Sequence, residues 1–267
     1  MLKRSFNKER IAGRATVSIA LATMLWGISL VAKAADQGQA VETALHFLGE
    51  LNRVSPLEPA GSHGSLGTGL GAGAASYVPP SPNAVTRAEL GRSSGTNTDA
   101  AYLIPRIYLV KGLPLPVDLG FTGGTSSESG FSQASGSLQW TFYEALAMPA
   151  LAVRASYGRL YGLVGTQLET SELDLVASYG FLRYFTLYGR YGAALQQGSL
   201  RVDEAGPLAF LDTDQPAETI ERTWMESVRG AGLRIMVLPP FVALTAEAEL
   251  GTGTGARSYA AKLSIGL

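Results

Sequence analysis

Two pairs of acids in this chain stand two residues apart, Glu172 with Asp174 and Glu247 with Glu249. In an extended strand that spacing puts both carboxylates of a pair on one face. Paired carboxylates can divide general-acid and general-base work, or hold a hard cation through their oxygens. The surrounding sequence completes neither chemistry. No recognised calcium-loop spacing accompanies the acids, and with no Cys and only two His there is no cluster for zinc. His46 lies in a helical stretch and His63 in a Pro/Gly/Ser segment, apart from the strands that carry the acids. "GTGLGAG" and "GTGTG" are rich in glycine, yet neither is followed by Lys-Ser/Thr or by a helix pattern, so both fail as phosphate loops. The expectation is no catalytic residue, no metal and no cofactor. Same-face acids of this kind are expected to be structural, facing bases inside the fold.

What positions them is strict alternation. In 116–123, Val117, Leu119 and Phe121 oppose Asp118, Gly120 and Thr122; in 133–143, Leu138, Trp140 and Phe142 oppose Gln133, Ser135, Ser137, Gln139 and Thr141. The same pattern recurs in 151–158, 172–180, 185–196 and 242–250 and continues to Leu267, with Tyr259, Leu263, Ile265 and Leu267 on one face. Soluble sandwiches also alternate, but these stretches reach the 9–11 residues that a tilted membrane strand needs. Connections alternate too: tight turns near 112–115, 147–149, 182–184 and 239–240, against longer links at 79–98, 124–130, 159–166, 203–221 and 251–255. Short periplasmic turns and long outer loops produce that asymmetry. Phe142, Phe181, Phe185 and Phe241 lie by the turns, and Phe131, Tyr157, Tyr191, Trp224 and Tyr259 towards the loops, which predicts two interfacial belts.

The pattern predicts an all-β transmembrane antiparallel up-and-down barrel of about ten strands: 64–78, 99–111, 115–124, 130–145, 149–160, 166–181, 184–202, 222–238, 241–251 and 256–267. An even count returns both ends of the barrel to the periplasmic side. Stretch 222–230 is irregular, because Arg229 shares a parity with Leu233 and Ile235. Either it stands above the membrane or a bulge resets the register.

Ahead of the barrel the chain divides in two. Residues 1–34 hold Lys3, Arg4, Lys8, Arg10 and Arg14, then 18 largely apolar residues, then Ala32-Lys33-Ala34. These are the parts of a cleavable signal peptide; the alternative is an uncleaved anchor carrying a periplasmic β-sandwich. Removing 1–34 leaves 15 basic residues against 21 acidic, a net charge of −6, which gives no footprint for nucleic acid. Residues 35–63 read as a short helix over 36–54, with Val41, Ala44, Leu45 and Leu48 at helical spacing, followed by a linker. The barrel domain is 64–267.

From residue 64 onward the chain resembles bacterial outer-membrane β-barrel proteins of the small OmpA-like-domain type. "YLIPRIYLVKGLPLPVDLGFTGG", with its "KGLP" turn, resembles a hairpin of uncharacterised exported barrels. The last strand resembles the signal read by the barrel-assembly machinery, although that pattern usually ends in Phe and this chain ends in Leu267. The resemblance implies a monomer in the outer membrane, with membrane lipid and the assembly machinery as partners.

With the polar parity inward, the luminal charges are Arg106, Asp118, Arg154, Glu172, Asp174, Arg190, Glu226, Arg234, Glu247, Glu249 and Lys262, five basic and six acidic. Buried charges must pair, so a filled lumen is expected in a barrel this narrow. The alternative is a narrow channel whose charged rings select small solutes. The function expected first is a non-enzymatic narrow pore for small solutes, with a structural or surface-interaction barrel of closed lumen as the alternative. Gly67, Gly69, Gly71 and Gly73 share the inward parity, leaving a bare stripe on strand one. Residues 37–53 could lie as a helix against it; a periplasmic helix, or small residues fitting a crowded interior, explains the stripe equally.

Overall fold

Ten strands form in the order the alternation predicts: β1 (Thr68–Val78), β2 (Tyr102–Gly112), β3 (Val117–Thr125), β4 (Ser132–Tyr143), β5 (Ala150–Tyr161), β6 (Thr166–Phe181), β7 (Phe185–Val202), β8 (Glu218–Leu238), β9 (Val242–Gly251) and β10 (Arg257–Gly266). The computed structural model describes residues 42, 45–53, 55–78, 102–126, 131–145, 148–163, 165–181, 184–202, 218–251 and 257–266. Residues 1–34, expected as a signal peptide, the link 79–98, most of 203–221 and Leu267 lie outside these residues.

Each strand pairs antiparallel with its sequence neighbour, and β1 pairs with β10 from Gly69↔Gly266 to Val78↔Arg257, closing the barrel. Around the closed ring no edge is open, so ladder groups there are satisfied within the wall. The alternation becomes an inside and an outside. Leu173 and Leu263 are 58% and 53% exposed on the outer wall, with Leu103, Ile107, Leu109, Leu175, Tyr259 and Ile265 beside them. Arg154 and Lys262 are each 1% exposed inside. No described helix is long and apolar enough to cross a membrane, which says nothing about strands.

The short turns, including 113–116 and 239–241, gather at one end, and the links after β1, β3, β7 and β9 at the other; these are called the turn end and the loop end. β6, β7 and β8 have 16, 18 and 21 residues. At about 3.4 Å per residue β8 is roughly 70 Å long, well over the ~30 Å of a hydrocarbon core even when tilted. Its ladder to β9 stops at Val228↔Gly251, so its first part pairs with β7 alone.

This settles the irregular stretch. The β7–β8 register runs unbroken from Phe185↔Ile235 to Val202↔Glu218, so no bulge resets it there. Arg229 points outward near the end of β9, its guanidinium 5.7 Å from the Tyr191 ring centroid. Register shifts occur instead at Thr141/Tyr143 and Met236/Leu238, both towards the turn end.

Residues 64–67, expected as the start of strand one, form a turn. Gly64 has φ 67° and its carbonyl accepts from Gly67 N at 3.1 Å. The turn lies against Gly112, where an added Cβ would stand 1.9 Å from the Gly64 oxygen. Two belt residues also turn inward. Phe131 is fully buried, and Trp224 stacks on His46 with centroids 4.6 Å apart.

Candidate functional site

The reason those aromatics turn inward is that the lumen is occupied. Residues 45–52 form helix α1 inside the loop end, and the chain then runs extended through the barrel to leave at the turn end and begin β1. Phe47, Leu48 and Leu51 pack with Ala75, Tyr77, Tyr102, Ile104, Phe131, Leu160 and Leu168 from the wall. The inner face of the loop end is therefore apolar, against the simple rule that inward means polar. The same positions would be costly in a water-filled channel and are favourable around an amphipathic helix. At Gly49 an added Cβ would lie 1.5 Å from Gln196 Oε1 and 2.8 Å from Trp224, so the helix backbone sits directly on β7 and β8. The helix does not lie on the glycine stripe of β1. Gly71 instead admits the Lys262 side chain, 3.0 Å from where its Cβ would be, and Gly73 faces the β10 backbone.

Below the helix is the charged layer, and all eleven inward charges named from the sequence point into it or border it. Arg190 is its centre. Its Nη1 donates to Glu172 and to Asp174 (2.9 Å), its Nε to Glu247 (2.9 Å) and its Nη2 to Glu249. Both i, i+2 acid pairs thus converge on one guanidinium. Tyr188 Oη and Ser55 Oγ donate to Glu247 Oε2 at 2.7 and 3.1 Å. Arg53, which follows α1, adds a second cation, its Nη2 2.5 Å from Glu249 and its Nη1 3.3 Å from Glu226. Glu226 also accepts from Trp224 Nε1 at 2.8 Å and lies 3.2 Å from His46 Nδ1. Arg106 donates to Tyr77 Oη at 2.5 Å, and Tyr77 donates to the Arg53 carbonyl at 3.1 Å.

The extended segment is held by its own backbone. Lys262 Nζ donates to the Pro56 carbonyl (2.9 Å), Arg154 Nη2 to that of Glu58 (2.5 Å), Gln139 to that of Pro59 (3.0 Å) and Thr141 to that of Ala60 (2.6 Å). A non-helical segment in this position needs such donors, because its carbonyls have no ladder to join. The Glu58 carboxylate receives Lys262 Nζ and, at 2.9 Å, Arg234 Nη1. Near the turn end His63 Nδ1 is 3.0 Å from Asp118, whose carboxylate also accepts from His63 N. The sequence placed neither histidine on the wall; the structure sets both beside wall carboxylates.

The cavity beside Glu58, His63, Asp118 and Arg154 measures about 10 Å³, room for about one water. A larger cavity of about 420 Å³, lined by Arg159, Tyr161, Gln167, Ser199 and Arg201, opens at the loop-end rim and is separate from the charged layer. Among the described residues, no group of three or more His, Cys, Asp or Glu is placed to hold a metal.

The fold and the site together decide the architecture. It is a closed ten-stranded barrel that holds its own N-terminal segment. No family model matches the chain, and no curated protein matches it. Among solved structures it is similar to the N-terminal β-barrel domain of Pseudomonas aeruginosa OprF, at 12% identity and TM-score 0.34, over 76% of this chain and 99% of that one. It is similar to Ail, the attachment invasion locus protein of Yersinia pestis, at 12% identity and TM-score 0.32, over 75% and 98%. A third is OmpT, an outer membrane protein of Vibrio cholerae, at 9% identity and TM-score 0.30, over 73% and 76%.

The sequence missed the contribution of the N-terminal segment to the charged layer. Counting Arg53, Glu50 and Glu58 with the wall, six basic side chains face eight acidic ones before the two histidines are considered. The available signal was the apolar inward parity at the loop end (Tyr102 and Ile104, Leu160, Leu168), which opposes an equally apolar outer parity and asks for something apolar inside.

Proposed function

We propose that the protein is an integral, non-enzymatic β-barrel of the bacterial outer membrane whose lumen is kept closed by residues 45–63. The observation that carries this reading is the filling of the interior by that segment: Leu48, Leu51, Asn52, Arg53 and Glu58 are buried against the wall, and the cavity beside Glu58, His63, Asp118 and Arg154 measures about 10 Å³. The apolar outer wall suits hydrocarbon, and the long β6–β8 strands would carry a polar rim beyond it. Outer-membrane lipid and the barrel-assembly machinery are then its partners, the latter through the face bearing Tyr259, Leu263 and Ile265. A closed barrel serves as a membrane-fixed platform for its rim and loops.

A second reading is favoured by one observation. The segment is held through hydrogen bonds and ion pairs, and the wall behind it carries Arg106, Arg154, Arg190, Glu172, Asp174 and Glu247. Displacing the segment would open a charged path for small solutes. Liposome swelling distinguishes the two: a closed barrel gives no sugar uptake above empty liposomes, whereas uptake by the full-length protein would favour the pore.

A further inference from the structure

We infer that the chain enters the barrel from the outer mouth, so that Glu42 is exposed at the cell surface and residues 45–63 run from outside to periplasm. The inference rests on the outer-membrane reading above, with the loops outward, and goes beyond it by giving the plug a direction.

Three observations fix the direction. Leu45 packs at Gly198, and His46 stacks on Trp224. Both wall positions belong to the part of β7–β8 that continues past the end of β9, next to the 203–217 link. Glu42 is 4.0 Å from His46, and its side chain is 56% exposed, whereas Leu45 and residues 47–53 are buried. At the other end Ala60 donates to Ser178, Ser62 N to Glu144, and His63 N to Asp118, all near short turns. The chain then folds through the 64–67 turn and climbs as β1 back to the loop end. The segment and β1 therefore form an inside-and-wall hairpin, running in opposite directions.

The cavity beside the segment at Glu58, His63, Asp118 and Arg154 is about 10 Å³, so the plug fits closely against the wall there. It follows that the segment must be inside before the β1–β10 seam closes, because afterwards it would have to be threaded.

The test uses the full-length protein in cells with three single-cysteine variants, in a chain that has no other cysteine: Glu42→Cys, Thr219→Cys at the loop-end rim and Leu115→Cys in a short turn. Intact cells are treated with a polyethylene-glycol maleimide too large to cross the outer membrane. Heat-modifiable migration on gels verifies that each variant is folded. The expected result is a gel shift of Glu42→Cys and Thr219→Cys on intact cells, with Leu115→Cys shifting only after permeabilisation. An unshifted Glu42→Cys on intact cells overturns the inference. If Thr219→Cys still shifts, the outer-membrane reading survives and the direction alone is wrong. If Thr219→Cys is also protected, the loops-outward reading itself fails.

Discussion

Arg53 and Glu249 meet at 2.5 Å inside the barrel, one on the plug and one on β9, and Glu249 is held at the same time by Arg190 on β7. The contact joins the plug to the ion-pair cluster that knits β6, β7 and β9 together. Breaking a buried pair by deleting one partner costs about 3–5 kcal/mol, because the other charge stays buried without compensation. Arg53→Met is therefore expected to weaken plug seating by about 3 kcal/mol. Trp224 fluorescence in a Trp26→Phe, Trp140→Phe background reports it, since Trp224 stacks on the plug helix. A shift in the urea midpoint for Trp224, with a smaller shift for the barrel's β-sheet circular dichroism, is the expected outcome.

Glu58 has the converse position, a single plug carboxylate between Lys262 and Arg234. Glu58→Gln leaves two buried or half-buried cations facing each other and should destabilise the plug by about 3 kcal/mol. Adding Lys262→Met to it should recover part of the loss. A double-mutant cycle on urea midpoints checks this, and strict additivity of the two changes would show that the pair is not coupled.

His63 anchors the turn end of the plug, its Nδ1 3.0 Å from Asp118 of β3. His63→Ala removes that bond and should lower the Trp224 urea midpoint by about 1 kcal/mol of plug seating. An unchanged midpoint would show that the contact does not hold the plug.

Gly112 gives a steric prediction. A methyl group there would come 1.9 Å from the Gly64 carbonyl, which is backbone and cannot swing aside. Gly112→Ala should displace the 64–67 turn where the plug becomes β1, at a cost of about 1–3 kcal/mol. Gly136→Ala, with nothing within 4 Å of its added Cβ, is the control and should be close to neutral apart from its strand propensity. Thermal unfolding of both variants in the same detergent checks the difference.

The barrel was legible in the sequence because period-two alternation carries one bit per residue about wall orientation, repeated over ten strands. Strand ends were nearly right except where local contacts override the pattern, as at 64–67, where Gly64 and Gly112 form a turn, and at β8, which starts at Glu218. The inward charges follow from parity alone. Their partners do not, because pairing Arg190 with acids on both β6 and β9 needs the barrel's register and its curvature. The plug was legible only as one alternative. Its seat is made of inward Tyr102, Ile104, Leu160 and Leu168 and of small inward residues such as Ala152, Ser156, Gly158 and Ala194. Those are spread over four strands, whereas the glycine stripe of β1 drew attention to the wrong wall.

Single-channel recording in planar bilayers tests the closed lumen most directly, comparing the full-length protein with a variant lacking residues 45–60 that still shows heat-modifiable migration. The account predicts no resolved conductance steps from the full-length protein and stable open steps from the deletion variant. Equal conductance from the two proteins would contradict it.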